Sequence, residues 1–382
     1  MNKEKIWLSS PHMGGREQTY IQVAFDTNWI APLGPNVLGM ESDLERYLGE
    51  DVFVGALSSG TAAIHLGLIL LDVKAGDEVI CQSMTFSASA NPILYQGGTP
   101  VFIDSEPDTW NMCPAALEEA ILDRIAKGKK PKAIIAVHLY GMPFKVDEIV
   151  AIAEKYQIPL LEDSAEALGS SYKGRKCGTF GAVGVLSFNG NKIITTSGGG
   201  AIVVPSKALK DRAVFFATQS RDLAPHYQHS EIGYNYRMSN ICAGIGRGQM
   251  EVLDAHVALR RKAHAFYSDY FAAIEGVTVL KEPTADWFSN HWLTAIVMDE
   301  AKVGKSREDL RLAFEAENIE SRPLWKPMHL QPVFEKYPYY GNEVSSRLFE
   351  QGLCLPSGSN LTDNDYLRLE KVLDHFFKSQ KL

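Results

Sequence analysis

A single lysine lies between two apolar runs, in a segment rich in turn-forming residues. The segment reads SFNGNKIITTSGGG over residues 187–200, and it places Lys192 after the run AVGVL and before the run AIVV. A lysine beside buried strands can hold a neutral amine, which is a nucleophile toward carbonyl groups. Because most single lysines are solvated surface residues, Lys192 indicates chemistry only if other reactive groups accompany it.

Two other predicted strand ends carry residues suited to a charged ligand. The stretch 58–61, SSGT, follows VFVGAL and precedes a predicted helix, whose free N–H groups and dipole favour an anion. Asp163 follows IPLLE, where a partly buried carboxylate needs a cationic partner. Taken alone, each is also compatible with an ordinary helix cap.

The three features together fit one cofactor, pyridoxal 5′-phosphate. Its phosphate suits the 58–61 stretch, its aldehyde condenses with a lysine amine, and an aspartate keeps its ring nitrogen protonated so that the ring accepts electrons. Phe86, in MTFSASAN, is a candidate to stack on the ring, although core packing is an alternative explanation for it. The conjunction therefore predicts a cofactor site that no single residue establishes.

Other motifs are weaker. Gly304-Lys305-Ser306 resembles the end of a P-loop, but Asp299 stands where that motif requires glycine, and Ser306 begins a predicted capped helix. The histidines of the segment 226–229, HYQH, lack the spacing of a metal site. We therefore expect no metal.

Alternating short β-branched runs and helical patterns extend from residue 52 to about 205. This alternation predicts an α/β fold with a mostly parallel sheet covered by helices, in which loops at the carboxyl ends of the strands form the site. A proline-free helical stretch over 243–275 leads to a smaller α+β unit. We predict a large domain over 1–248 and a small C-terminal domain over 249–382.

Composition limits the class of protein. The chain has 382 residues, 45% hydrophobic residues and a net charge of −8, which fits a soluble globular protein and argues against broad nucleic-acid or membrane-surface binding. Its 5 cysteines contain no CxxC pair and suggest a reducing compartment. Because no signal-peptide pattern begins the sequence, we expect a cytoplasmic protein.

Several motifs in order resemble the DegT/DnrJ/StrS family of sugar aminotransferases, within the fold-type I group of pyridoxal phosphate enzymes. They are SSGTAAIHLGL, MTFSASAN, EDSAEALGS, SFNGNK, GGGAIV, GYNYRMSN, PMHLQPVF and GLCLPSGSNLT. The resemblance covers nearly the whole chain. It implies a large α/β/α sandwich domain, a small α+β domain, and a homodimer with shared active sites.

The resemblance also assigns residues. It implies that Lys192 binds the cofactor covalently, that Asp163 holds the ring nitrogen, and that Glu166 lies near the ring hydroxyl, where relatives often have glutamine or histidine. The further cofactor contacts it implies are Ser59, Gly60, Thr61, Phe86, Ser187 and Asn189, together with Asn235, which reaches the neighbouring subunit's cofactor. Arg237, Lys326 and His329 are candidates for substrate binding.

The resemblance is strongest to 4-aminotransferases of UDP-4-keto-6-deoxy-N-acetylglucosamine, in stretches such as APHYQHSEIGYNYRMSNI and SRPLWKPMHLQP. It implies transfer of an amino group from L-glutamate to C4 of the sugar, for bacterial surface glycans. We expect two stages with ping-pong kinetics, in which Lys192 moves the proton. Three alternatives stay open: amination at C3 of another nucleotide sugar, a non-catalytic pyridoxal phosphate-binding regulator, and an ATPase using the Gly304-Lys305-Ser306 motif.

Overall fold

The structure is a computed structural model, and it describes residues 3–49 and 51–378. The strands are β1 (Phe53–Leu57), β2 (Glu78–Gln82), β3 (Thr99–Ile103), β4 (Ala133–Val137), β5 (Leu160–Asp163), β6 (Ser171–Tyr172), β7 (Arg175–Lys176), β8 (Val183–Ser187), β9 (Gly200–Val204), β10 (Val277–Val279), β11 (Trp287–Phe288), β12 (Thr294–Met298), β13 (Arg322–Pro323), β14 (Tyr339–Tyr340) and β15 (Gly352–Leu355).

The α-helices connect and cover these strands. They are α1 (Glu17–Asp26), α2 (Pro35–Leu48), α3 (Gly60–Leu70), α4 (Asn91–Tyr95), α5 (Pro114–Ala126), α6 (Val146–Tyr156), α7 (Lys207–Ala217), α8 (Asn240–Met250), α9 (Leu253–Phe271), α10 (Glu300–Val303), α11 (Arg307–Ala316), α12 (Val344–Gln351) and α13 (Asp363–Lys378).

The main sheet has the strand order β1-β9-β8-β5-β4-β2-β3-β14. Strand β9 runs antiparallel to both of its neighbours, whereas the pairs from β8 to β14 are parallel. The prediction of a mostly parallel α/β sheet is therefore confirmed. Because β1, β8, β5, β4 and β2 run the same way, the loops that follow them meet at one edge of the sheet.

Helices cover both faces of the sheet, so its strands are apolar on both sides. In β2, for example, Val79 and Cys81 enter one core cluster with α3 residues, whereas Ile80 enters the cluster on the opposite face with α5 residues. This alternation follows from the period of two residues in a strand. It explains why the strands appear in the sequence as continuous apolar runs.

A second sheet, of order β10-β12-β15-β13, packs against α9, α11 and α13. The predicted capping box is confirmed, because the Ser306 side chain accepts from the Asp309 N–H while the Asp309 carboxylate accepts from the Ser306 N–H. Ile6 lies in the core of this smaller unit and forms a bridge with Ile319. Ile6 thus packs against the smaller unit, although the sequence predicts that residues 1–248 form the large domain.

One local prediction differs from the structure. The stretch 243–275 forms two helices, α8 and α9, separated at residues 251–252. Apolar periodicity continued across the break, so the sequence pattern did not show it. Among the described residues, no helix combines the length and hydrophobicity needed to span a bilayer.

Candidate active site

A cavity of about 310 Å³ opens at the carboxyl edge of the main sheet. Segments after β1, β2, β5 and β8 line it, together with two tryptophans from the smaller unit. Its lining includes the predicted residues Ser59, Gly60, Thr61, Phe86, Asp163, Glu166, Ser187, Asn189 and Lys192. The structure therefore brings together residues that lie up to 133 positions apart, between Ser59 and Lys192.

The N-terminus of α3 forms one wall of the cavity. Ser59 caps this helix, because its Oγ accepts a hydrogen bond from the Ala62 N–H at 3.0 Å. The N–H groups of Gly60 and Thr61 have no hydrogen-bond partner among the residues that the structure describes. Two free donors at a helix N-terminus, beside the Thr61 and Ser187 hydroxyls, form a site for an anion such as phosphate.

Glycine at position 200 allows this wall to form. A Cβ built on Gly200 would lie 2.4 Å from the backbone nitrogen of Gly60 and 2.4 Å from the carbonyl carbon of Ser59. Both atoms belong to the backbone, so no side-chain rotation could relieve the clash. Strand β9 can therefore approach the start of α3 only because residue 200 lacks a side chain.

Asp163 ends β5, and its side chain is buried. Its Oδ2 accepts a hydrogen bond from Ser89 Oγ at 2.7 Å, and its Oδ1 accepts from the Ala165 N–H at 3.1 Å. The hydroxyl of Thr85 in turn lies 2.7 Å from Ser89 Oγ. These contacts fix the orientation of a carboxylate that can pair with a cationic group in the cavity.

Lys192 lies across the cavity in a turn closed by a hydrogen bond from its own N–H to the Asn189 carbonyl, at 3.0 Å. Its Nζ is 3.5 Å from Glu166 Oε1 and 4.1 Å from the centre of the Trp292 ring. Lys192 is thus not a solvated surface lysine. It is a half-buried amine facing the same space as Asp163.

Glu166 is buried beside this amine. Burial raises the pKa of its carboxyl group, whereas the nearby Lys192 charge and the N–H of Tyr140, which donates to Glu166 Oε2 at 2.6 Å, lower it. The net direction is upward. Glu166 can therefore stay protonated at a pH closer to neutral than an exposed glutamate can.

Phe86 lines the cavity and is 62% exposed. That exposure contradicts the alternative of simple core packing. An exposed aromatic ring in the lining of the cavity can stack on a planar ligand.

Four residues that line the cavity or contact Asp163 are absent from the residues predicted from the sequence. Ser89 hydrogen-bonds Asp163, Asn191 lines the cavity, and Trp292 and Trp325 close it from the smaller unit. Ser89 lies in the MTFSASAN motif, so its position next to Phe86 was an available signal. Trp325 lies in the stretch SRPLWKPMHLQP, which carries the resemblance, whereas Trp292 follows Lys192 by 100 residues and lies in none of the quoted motifs.

Two predicted substrate-binding residues have other partners. Arg237 is buried, and its Nη1 donates to Glu41 Oε1 at 2.5 Å and to the Ala56 carbonyl at 2.9 Å. His329 Nδ1 lies 2.7 Å from Ser83 Oγ, its ring stacks on Tyr339, and burial lowers its pKa. Neither residue lines the cavity, and their roles in substrate binding remain predictions.

Lys326 and Asn235 also lie outside the lining of the cavity. Lys326 is half-buried directly after Trp325, which does line it. Asn235 is exposed and forms a bridge with Thr218. An exposed position outside the chain's own cavity is compatible with a contact to a second subunit.

The residues present fit pyridoxal phosphate. Gly60 and Thr61 offer unpaired donors for its phosphate, and Asp163 offers a fixed carboxylate for its ring nitrogen. Lys192 is the lysine that lines the described cavity, and its amine can take the aldehyde. Phe86 offers a ring face for the pyridine.

Comparisons with known proteins match one family over nearly the whole chain. The sequence profile of the DegT/DnrJ/EryC1/StrS aminotransferase family matches residues 11–374. The chain is 53% identical over 378 residues to EpsN of Bacillus subtilis (strain 168), named as a pyridoxal phosphate-dependent aminotransferase, with 98% of this chain and 96% of EpsN covered.

Two further similarities extend over nearly whole chains. A GDP-perosamine synthase of Escherichia coli O157:H7 is 35% identical over 375 residues, with 98% of this chain and 99% of the synthase covered. A crystal structure of a DegT DnrJ EryC1 StrS aminotransferase from Brucella abortus has a TM-score of 0.87 and 29% identity, with 95% of each chain covered.

Proposed function

The chain belongs to the DegT/DnrJ/EryC1/StrS aminotransferase family, and on that premise we propose that it transfers an amino group to a keto group of a nucleotide-linked sugar. Family membership confirms three predictions, namely the fold type, the aminotransferase class and the pyridoxal phosphate cofactor. The alternatives of a non-catalytic regulator and of an ATPase lose their support. In the structure, Gly304 ends α10 and Ser306 caps α11.

The main support for the proposal is that Lys192, Asp163 and the N-terminus of α3 line the same cavity. When bound, pyridoxal phosphate supplies an aldehyde and a conjugated ring that withdraws electrons from the reacting carbon. Asp163 keeps the ring nitrogen protonated, and the α3 N-terminus holds the phosphate. The amine of Lys192, once free, removes and returns the proton as general base and acid.

Absorption spectroscopy tests this assignment. We expect the purified protein to absorb in the visible range when pyridoxal phosphate is linked to Lys192, and to bleach on addition of L-glutamate. A suitable keto sugar should then restore the colour. A protein that stays colourless after incubation with pyridoxal phosphate would contradict the assignment of Lys192.

For the substrate, we propose the C4 keto group of a UDP-linked 4-keto-6-deoxy-N-acetylhexosamine, with L-glutamate as the amino donor. The product would be UDP-4-amino-4,6-dideoxy-N-acetylglucosamine, made in the cytoplasm for surface glycans. A second candidate is a GDP-linked keto sugar, favoured by the 35% identity to a protein named GDP-perosamine synthase.

Single-turnover assays separate these candidates. The protein, first converted to its amine form with glutamate, is mixed with UDP-linked or GDP-linked 4-keto sugar, and the return of visible absorbance is timed. Faster recovery with the UDP sugar supports the first candidate, and the reverse order supports the second. Structure determination of the product by NMR distinguishes amination at C4 from amination at C3.

We also propose a homodimer with shared active sites, in which Asn235 reaches the partner's cofactor. The segment before Asn235 exposes three large apolar side chains, Leu223, Tyr227 and Ile232, which a second subunit could cover. Complementation tests the sharing of sites. Lys192→Ala and Asn235→Ala chains, each inactive alone, should regain part of the activity when refolded together, and absence of any recovery argues against shared sites.

A further inference from the structure

The amine of Lys192 rests on the face of an aromatic ring that belongs to the smaller unit. Its Nζ lies 4.1 Å from the centre of the Trp292 ring, while Glu166 Oε1 lies 3.5 Å away on another side. Trp292 is only 2% exposed. A cation over the face of a desolvated indole is stabilised by the ring quadrupole.

Trp292 is itself fixed in place by three hydrogen bonds. Its indole Nε1–H donates to the Asn191 carbonyl at 2.7 Å, and its backbone N–H donates to Asn290 Oδ1 at 2.8 Å. Its carbonyl accepts from Arg260 Nη1 at 2.6 Å. The ring therefore has one orientation relative to the Lys192 turn.

The backbone of that turn is held from two further segments. Ser9 Oγ donates to the Asn191 carbonyl at 2.6 Å, and Arg260 Nη2 donates to Ser9 Oγ at 3.0 Å and reaches the Lys192 carbonyl at 3.5 Å. With Asn191 and Lys192 fixed at the backbone, motion is left to the lysine side chain. That side chain is the part that must alternate between a covalent link and a free amine.

The charged groups around this amine come from several elements. Glu166 and Asp163 face the cavity from the end of β5 and the segment that follows it. Arg260 approaches the backbone of the turn from α9, and His256, also on α9, lies near the backbone of Ile193. The indole of Trp292 is thus the uncharged group that contacts the ammonium directly.

Building on the proposed role of Lys192, we propose that Trp292 is a positioning residue that holds the free ammonium of Lys192 on its indole face, beside Glu166. Each time the lysine is displaced from the cofactor, its amine returns to this place. Trp292 thereby couples the position of the smaller unit to that of the reactive amine.

The test measures the reactivity of Lys192 in the full-length chain without cofactor. Limiting acetic anhydride acetylates neutral amines, and peptide mass spectrometry follows acetylation of Lys192 as a function of pH. Trp292→Leu and Trp292→Phe both remove the indole and open similar space, but phenylalanine keeps a ring face. Trp287→Phe is the matched control, because the Trp287 indole also donates to a backbone carbonyl, that of Pro143, yet lies outside the cavity.

We expect the pH of half-maximal acetylation at Lys192 to fall by roughly half to one pH unit in Trp292→Leu relative to Trp292→Phe. Easier access alone would raise the rate at every pH without separating these two midpoints. A leucine midpoint equal to or above the phenylalanine midpoint overturns the proposal. If the leucine variant does not fold, a Trp292→Phe midpoint no lower than that of wild type overturns it. Since acetylation needs no cofactor, the result is independent of the colour test above.

Discussion

Lys192 and Asp163 line the same cavity, and each can be tested by a single side-chain substitution. Asp163 is held by Ser89 and by the Ala165 N–H, so its carboxylate is oriented by the protein alone. Lys192 is held at the backbone by Asn189 and Arg260. Lys192→Ala therefore removes the amine while leaving these backbone contacts in place, and Asp163→Asn replaces one oxygen of the carboxylate with an amide nitrogen.

Lys192→Ala should reduce transamination by at least roughly 10³-fold, since it removes the proposed general base and acid. The variant should still bind pyridoxal phosphate without a covalent link, because the α3 N-terminus and Asp163 remain. Turnover assays and equilibrium dialysis measure the two effects. Lys210→Ala is the control, since Lys210 is also mostly buried but pairs with Glu41 and Glu45. Comparable losses in both variants would point to general destabilisation.

Asp163→Asn should keep the covalent link to Lys192 but raise the reaction barrier by about 3–5 kcal/mol, or roughly 10²–10⁴-fold in rate. An amide cannot hold the proton on the ring nitrogen electrostatically. The turnover number and the visible spectrum measure these effects, with the exposed Asp147→Asn as control. Near-normal turnover of Asp163→Asn would show that another group contacts the nitrogen.

At the scale of elements, the site depends on how closely β9 approaches the start of α3. Strand β9 pairs with β1 and β8, so its position relative to α3 is fixed along its whole length. The absence of a side chain at Gly200 then sets the distance to Gly60. Packing of one strand thus determines the shape of the anion site.

Gly200→Ala should lower the free energy of unfolding by about 1–3 kcal/mol and weaken pyridoxal phosphate binding, because its Cβ would displace the α3 N-terminus. Urea unfolding and titration with pyridoxal phosphate measure both. Gly190→Ala is the matched control, since a Cβ there meets no atom within 4 Å. Equal affinity in the Gly200 and Gly190 variants would refute the role of this close approach.

At the scale of the whole molecule, buried histidines link stability to pH. Burial lowers the pKa of His256 to about 4 and that of His264 to about 4. The two stack on His12 and His291, respectively. Because their folded pKa values lie below the ordinary value of 6.5, the stability they contribute is present above that value and is lost as the pH falls toward 4.

The cofactor-free protein should therefore lose stability between about pH 7 and about pH 5, where few carboxylates titrate. His264→Gln should reduce that loss by about 1–2 kcal/mol, since glutamine stays neutral and can still donate to the Leu280 carbonyl. Urea unfolding across this pH range is the measurement. As a control, substitution of the exposed His375 by glutamine should leave the dependence of the free energy of unfolding on pH unchanged. If the free energy of unfolding of His264→Gln depended on pH as strongly as that of the wild type, the buried histidine would not be the cause of the loss.

The sequence by itself determined the alternating elements and the reactive residues at the strand ends. Short continuous apolar runs and helical patterns are local, as are the Ser59 cap and the Ser306 capping box, so they can be identified without knowing what packs against them. The same locality located Lys192, Asp163 and the 58–61 stretch. Their conjunction was enough to indicate the cofactor.

Only the tertiary structure decided which distant residues meet at these groups. Trp292 contacts Lys192, Trp325 contacts Glu166, and Arg237 donates a hydrogen bond to Glu41. The partners in these pairs lie 100 to 196 residues apart in the sequence. Such contacts depend on the packing of whole elements, and that packing leaves no periodic signal around either partner. Residue type suggests substrate binding for Arg237, whereas the structure places its side chain buried against the Glu41 carboxylate, and no local pattern reports burial against a distant partner.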